Sequence, residues 1–198
     1  MSVADETVVP SRVKRADAVR NTEAVLEAAK SVFAEVGVDA PMRDIATRAG
    51  VGVGTIYRNY PQRSDLVIAV FRREVEATAA AAEQLARSHP PAEALRLWVT
   101  RFAGFVATKR GLSAALHSGD PAFAPLPGYF LDTLRPRVQA LLDAAAELPG
   151  GRGDVSAEDL ILSLSRLADR HPSDPPGRSE RMIEVLLDGI LGKERPTA

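Results

Sequence analysis

The chain has 198 residues, enough for one large domain or for a small one joined to a medium one. Hydrophobic residues make up 45% but aromatics only 5%, so Ala, Leu and Val must fill the core, which favours helices. Cysteine is absent and the formal net charge is −1, which excludes a disulfide framework, a thiolate metal site and nucleic-acid binding through bulk charge alone.

Charge is unevenly spread. Between Ser11 and Arg63 there are nine basic side chains against six acidic ones, and the remainder of the chain is slightly acidic. The opening stretch, MSVADETVVP, has neither the basic nor the apolar region of a signal peptide. No apolar run approaches the ~20 residues that cross a bilayer. A soluble cytoplasmic protein without membrane association is expected.

Residues 1–15 read as a disordered arm ending in Arg12, Lys14 and Arg15. From about Asp17 to Val36, apolar residues at spacings of three and four (Val19, Val25, Leu26, Ala29, Val32, Phe33, Val36) predict a helix that Gly37 stops. Pro41 suits the first turn of a second helix running to Ala49, and Gly50 breaks it. A third, short helix spans Gly52 to Asn59. After Pro61, a long fourth helix carries Leu66, Val67, Val70, Phe71 and Val75, then an Ala-rich tract to Leu85.

After His89-Pro90-Pro91 the pattern predicts a helix over Ala92–Thr108. A separate short helix, LSAALH, follows Gly111, and residues 119–128 read as a loop. Tyr129–Leu148 is expected to be helical, with Pro136 at a kink or at a delayed start. Beyond the link at 148–154, Ser156 caps a helix carrying Leu160, Ile161, Leu164 and Leu167. After a loop at 171–177, Ser179 caps a last one carrying Ile183, Leu186, Leu187 and Ile190. No strand alternation of useful length is present.

The stretch 41–60, PMRDIATRAGVGVGTIYRNY, carries the functional signal. It reads as two short helices across a Gly-containing turn, the shape that sets one helix in a DNA major groove. Ile45 and Ala46 face inward, and Val51 and Ile56 plug the wedge between the helices. Gly54, Thr55, Tyr57 and Arg58 lie on the outer face. Arg58 has two readings, a bidentate contact to guanine or a solvated side chain. The basic residues Arg12, Lys14 and Arg15 would track phosphate or enter the minor groove.

AVLEAAKSVFAEVGVDA followed by MRDIATRAGVGVGTIYRNYPQRSDL resembles the DNA-binding domain of the TetR family of bacterial transcriptional regulators. The resemblance covers Arg20 to Val75. It implies an all-α homodimer with a three-helix helix-turn-helix head at 16–76 and an effector-binding and dimerisation domain at 77–198. It also implies base or phosphate approach by Gly54 and Thr55, and a phosphate contact from the Tyr57 hydroxyl. Arg43 would reach the backbone or a base edge, and Arg63 a phosphate. Asn59 and Tyr60 stand where the family often has His and Phe, so Asn59 would donate to phosphate instead. Ala40 stands at a common Ser or Thr N-cap position, which leaves the second helix start frayed.

Trp98, Phe102 and Phe105 lie on one helix face and read first as core. The resemblance adds a second reading, in which they line an effector pocket whose other wall is Leu116, His117, Phe123, Tyr129 and Phe130. His117, a lone His after an apolar run, reads more readily as a helix-end residue than as a ligand contact. Such a pocket would suit a small, largely apolar or aromatic effector. Ile161, Leu164, Leu167, Ile183, Leu186, Leu187 and Ile190 are more than one face requires, so they are expected to form a dimeric four-helix bundle, with some of them also in the chain's own core. No metal site, cofactor or catalytic constellation stands out. The expected function is a ligand-responsive DNA-binding regulator that represses from a palindromic operator. The alternative is a helical small-molecule-binding or adaptor protein without sequence-specific DNA binding.

Overall fold

The computed structural model describes residues 11–116, 118–169 and 174–192. Among the described residues all regular structure is helical: α1 (Ser11–Val36), α2 (Met42–Ala49), α3 (Val53–Asn59), α4 (Arg63–Ser88), α5 (Pro91–Leu116), α6 (Leu126–Ala146), α7 (Ala157–Ala168) and α8 (Arg178–Leu191). A 3-10 turn, Pro121–Phe123, precedes α6. No helix among the described residues is long and apolar enough to cross a membrane.

Helix α4 is the spine. Its apolar side holds Leu66, Val67, Val70, Phe71 and Val75, all buried, and it packs on α5 and α6. At its start the Gln62 backbone N–H donates to Asp65 Oδ2 at 2.9 Å, half of a reciprocal cap. The helix runs unbroken through residues 76 and 77, so head and C-terminal helices share one rigid element. α1 packs on α2, α4 and α5, and α7 packs on α5, α6 and α8. One apolar core extends from Val25 to Leu191.

Several expectations change at element ends. α1 begins at Ser11, so residues 11–15 are helical rather than an irregular arm; from Ser11 onward no Gly or Pro interrupts the helix. Val19 and Val36 are exposed and do not belong to its core stripe. α5 continues through Gly111 to Leu116. One interior Gly costs about 1 kcal/mol, too little to break a helix anchored by buried Phe105, Val106 and Leu112. α6 begins inside the expected loop, because Pro125 and Pro127 occupy the cap and first turn, where a missing N–H is harmless. Pro136 lies inside α6 on its exposed side, so the helix does not start there.

The caps differ too. Pro41 is the N-cap of α2, and Ala40 is buried in the core rather than capping. Ser156 caps α7 as expected, accepting from the Asp159 N–H at 3.1 Å. Ser179 is a buried residue within α8, whose N-cap is Gly177 in the left-handed conformation.

Candidate nucleic-acid interface and ligand cleft

The head is built around a tight turn. Gly50 ends α2 at φ 68°, a conformation that a Cβ opposes. This lets the Val51 N–H reach back to the Ala46 carbonyl at 3.0 Å. Gly52 then caps α3 in an extended conformation. Within α3 only Ile56 is fully buried, and it belongs to the same core as Ile45 and Ala46 of α2. Val53, Gly54, Tyr57, Arg58 and Asn59 are exposed, and Thr55 is half-buried. A seven-residue helix that offers five residues to solvent has little structural reason for Tyr and Arg there.

The polar groups on α3 already hold one another. Arg58 Nη2 donates to Thr55 Oγ1 at 3.0 Å, and Asn59 Nδ2 donates to the Thr55 carbonyl at 3.0 Å. A groove of about 310 Å³ separates Thr55, Arg58 and Asn59 from Asp17, Ala18, Asn21 and Thr22 of α1. No sequence motif points to this α1 side, because short polar residues such as Asn21 and Thr22 are common on solvated helix faces. Arg43, at the start of α2, is highly exposed and lies 3.5 Å from Asp44. Arg48 is engaged elsewhere, bidentate to Glu35 at 2.6 and 2.9 Å. Lys14 and Arg15 fall in the first turns of α1.

Two expected contact residues face inward instead. Arg63 Nη1 donates to the carbonyls of Val38 and, at 2.6 Å, of Ala40. It ties the α1–α2 loop to the start of α4, because those carbonyls lie beyond both helices and need a donor. Its Nη1 is thereby taken up by loop carbonyls rather than offered to a phosphate. Tyr60 ends α3 with its N–H on the Ile56 carbonyl at 2.8 Å and packs half-buried against the core. Burial, with the Glu23 carboxylate, pushes its phenol pKa above the usual range. It reads as a packing residue.

The C-terminal helices enclose an apolar cleft of about 290 Å³. Phe71 of α4, Leu116 of α5 and Phe123 of the 3-10 turn form one side. Leu126, Pro127, Phe130 and Leu131 of α6 form another, and Leu162 and Ser165 of α7 close it. Leu116, Phe123 and Phe130 were expected. Phe71, Leu126, Pro127, Leu131, Leu162 and Ser165 were not, since helical spacing cannot say which apolar residue borders a void.

Trp98, Phe102 and Phe105 do not line this cleft. Trp98 and Phe102 are fully buried, their rings stacked at 5.1 Å, and Trp98 Nε1 donates to the Thr78 carbonyl at 3.1 Å. Phe105 stacks behind Phe130 at 5.8 Å and so backs the cleft wall. Tyr129 is also outside: its hydroxyl donates to Glu76 Oε1 at 2.7 Å and the Arg72 guanidinium sits 4.7 Å from its ring centroid. Burial and the Glu76 carboxylate raise its phenol pKa. His117 lies outside the described residues.

Phe123 also borders a second cleft of about 470 Å³. There Val38, Asp39, Gln62, Arg63 and Ser64 of the head face Ala115, Ser118 and Asp120.

The expected dimer residues divide. Ile161, Leu164, Ile183, Leu187 and Ile190 are buried inside the chain's own core, because α7 packs on α5, α6 and α8. Leu167 and Leu186 are half-buried. They line an outer groove with Ser163, Arg166, Met182 and Val185, the last two 44% and 63% exposed.

Comparison with known proteins agrees with this architecture. Residues 25–70 match the family described as bacterial regulatory proteins, tetR family. Residues 90–191 match the C-terminal domain described as transcriptional regulator SbtR-like. The crystal structure of the TetR transcriptional regulator SCO0520 from Streptomyces coelicolor is 36% identical. The match covers 89% of this chain and 99% of that one, with TM-score 0.71. A TetR transcription regulatory protein from Mycobacterium vanbaalenii is 34% identical over 89% and 98% of the two chains, also with TM-score 0.71. The HTH-type transcriptional repressor LfrR of Mycolicibacterium smegmatis is 29% identical over 168 residues, which is 85% of this chain and 76% of the relative. LfrR in complex with proflavine shares the fold, with TM-score 0.59 at 21% identity over 88% and 96% of the chains. The chain therefore belongs to the TetR family of bacterial transcriptional regulators, DNA-binding proteins rather than enzymes.

Proposed function

We propose that the protein is a ligand-responsive repressor that binds a palindromic operator as a homodimer, through a head at 16–76 and a control domain at 77–198. The observation that carries this reading is α3. It is held by one buried residue, Ile56, and presents Gly54, Tyr57, Arg58 and Asn59 outward. Arg58 is the base-reading candidate. Tyr57, Asn59 and Arg43 serve the phosphate backbone. One head contacts few base pairs, so a two-fold pair is needed for specificity. The exposed apolar groove of Leu167, Met182, Val185 and Leu186 supplies the contact surface.

The apolar cleft is the effector site in this reading. A ligand seated there touches Phe71 on α4, and α4 is one continuous helix back to Arg63, which holds the α1–α2 loop of the head. Displacing α4 changes the separation of two heads in a dimer. Only a ligand that binds the two states differently can drive that change. The proflavine-bound structure of LfrR supports a small-molecule effector of aromatic character.

Selection of bound fragments from the host's genomic DNA tests the proposal. Recovery of a palindrome, bound with a steep salt dependence, is the expected result. Loss of preference for that fragment in Arg58→Ala is expected with it. Equal binding of all fragments by the native protein would instead support the adaptor reading.

A further inference from the structure

The lining of the apolar cleft has a chemistry that narrows its occupant. Its walls are the rings of Phe71, Phe123 and Phe130 with Leu and Pro side chains between them. Phe71 and Phe130 lie 6.4 Å apart, tilted by 44°. Phe105 stacks on Phe130 at 5.8 Å from behind and holds that ring in place. Fixed aromatic faces of this kind favour an aromatic guest in offset or edge-on contact. The volume, about 290 Å³, is at the lower end of ligand sites, which run from roughly 300 to 1,000 Å³. One or two rings fit.

No charged side chain lines the cleft among the described residues. Two ions of α4 are engaged at Tyr129, outside the cleft lining: Arg72 lies over its ring, and Glu76 accepts from its hydroxyl. A charged guest would lose water without gaining a partner from these residues. Among the described residues the single polar side chain in the lining is Ser165. Its hydroxyl donates to the Ile161 carbonyl at 2.8 Å. That uses its proton and leaves Oγ as an acceptor.

We propose that the cleft selects a neutral aromatic ligand of one or two rings carrying one hydrogen-bond donor, which Ser165 Oγ accepts. This rests on the reading of the cleft as the effector site. A hydroxyl or amine on the ring meets the requirement. An ether fails as a donor and a carboxylate fails on charge.

Calorimetric titration of the full chain with 2-naphthol, 2-methoxynaphthalene and 2-naphthoate at neutral pH tests it. The expected order places 2-naphthol about fivefold tighter than the ether, the worth of one net hydrogen bond. The naphthoate should bind about a hundredfold more weakly than 2-naphthol, or not detectably. In Ser165→Ala the advantage of 2-naphthol over the ether should disappear. Leu162→Trp and Leu131→Trp, each verified by its unfolding transition, fill the cleft and should abolish binding of all three. Naphthoate binding as tight as that of 2-naphthol, a donor preference that survives Ser165→Ala, or no binding of any probe to the native chain overturns the inference. Binding that survives both folded Trp variants places the ligand elsewhere and overturns the cleft reading itself.

Discussion

Arginine in this head has three different jobs, and only burial and partners separate them. Arg48 is fixed to Glu35, Arg63 is turned onto the carbonyls of Val38 and Ala40, and Arg58 rests on Thr55 at the surface. The Arg58–Thr55 contact is a single exposed hydrogen bond, easily exchanged for a base edge. Arg58→Ala should therefore weaken operator binding by about 1–3 kcal/mol and relax preference at one base position. Mobility-shift titration over a set of operator variants measures both. Arg63→Ala should act through the fold. Loss of a charge-assisted, partly buried contact should lower stability by about 1.5–3 kcal/mol, read by urea denaturation. The slope of log K against log salt should stay unchanged. A drop of about 0.9 in that slope would instead mark a lost phosphate contact.

The first four helices were legible because their signals are local: apolar spacing in α1 and α4, Gly50 between α2 and α3, and Pro61 before α4. Errors fall where tertiary packing outweighs a local signal. Gly111 does not end α5, and the prolines around residue 126 start α6 rather than prevent it. Spacing identified Ile161, Leu164, Leu187 and Ile190 as buried but could not say against what; they meet other helices of the same chain. For the same reason the stripe of Trp98 and Phe102 is core, while the cleft borrows Leu162 and Ser165 from another helix. The seam between α1 and α4 was not legible at all, since it joins residues about fifty positions apart. Arg73 reaches Glu23 at 3.0 Å and Glu27 at 2.8 Å, and Lys30 reaches Glu74 at 3.0 Å. The hydrogen bond from Arg73 holds the Glu27 carboxyl below its ordinary value of 4.5. A depressed folded-state pKa contributes stability above the ordinary value, and that contribution is lost as pH falls through the lowered one. Glu27→Gln should therefore lower stability at neutral pH and flatten its decline below about pH 4.5, with thermal unfolding between pH 3 and 7 as the measurement, on the order of the four-unit window that linkage spans. The effect should be small, because the pair is largely solvent-exposed.

Two helices face two ways, and under the proposed function they join ligand, dimer and DNA. α4 places Phe71 at the cleft and Arg63 at the head. α7 places Leu162 and Ser165 at the cleft and Ser163, Arg166 and Leu167 at the outer groove. Under the proposed function a ligand therefore biases both the angle of a head and the surface on which two chains meet. The outer groove must be an interface for this to matter. Its exposed Val185 and Met182 contribute little to the isolated chain, so a change there should leave the protomer folded, within about 0.5 kcal/mol. Val185→Glu places a charge in a groove lined by Leu167 and Leu186, which a close apolar contact between two copies cannot accommodate. Sedimentation velocity should then show a monomer with an unchanged helical signal. Operator affinity should fall at least about a hundredfold, because two linked heads become two independent ones, while calorimetric binding of a cleft ligand persists. A Val185→Glu protein that stays dimeric would move the interface off α7 and α8, and with it the idea that the cleft and the dimer share a helix.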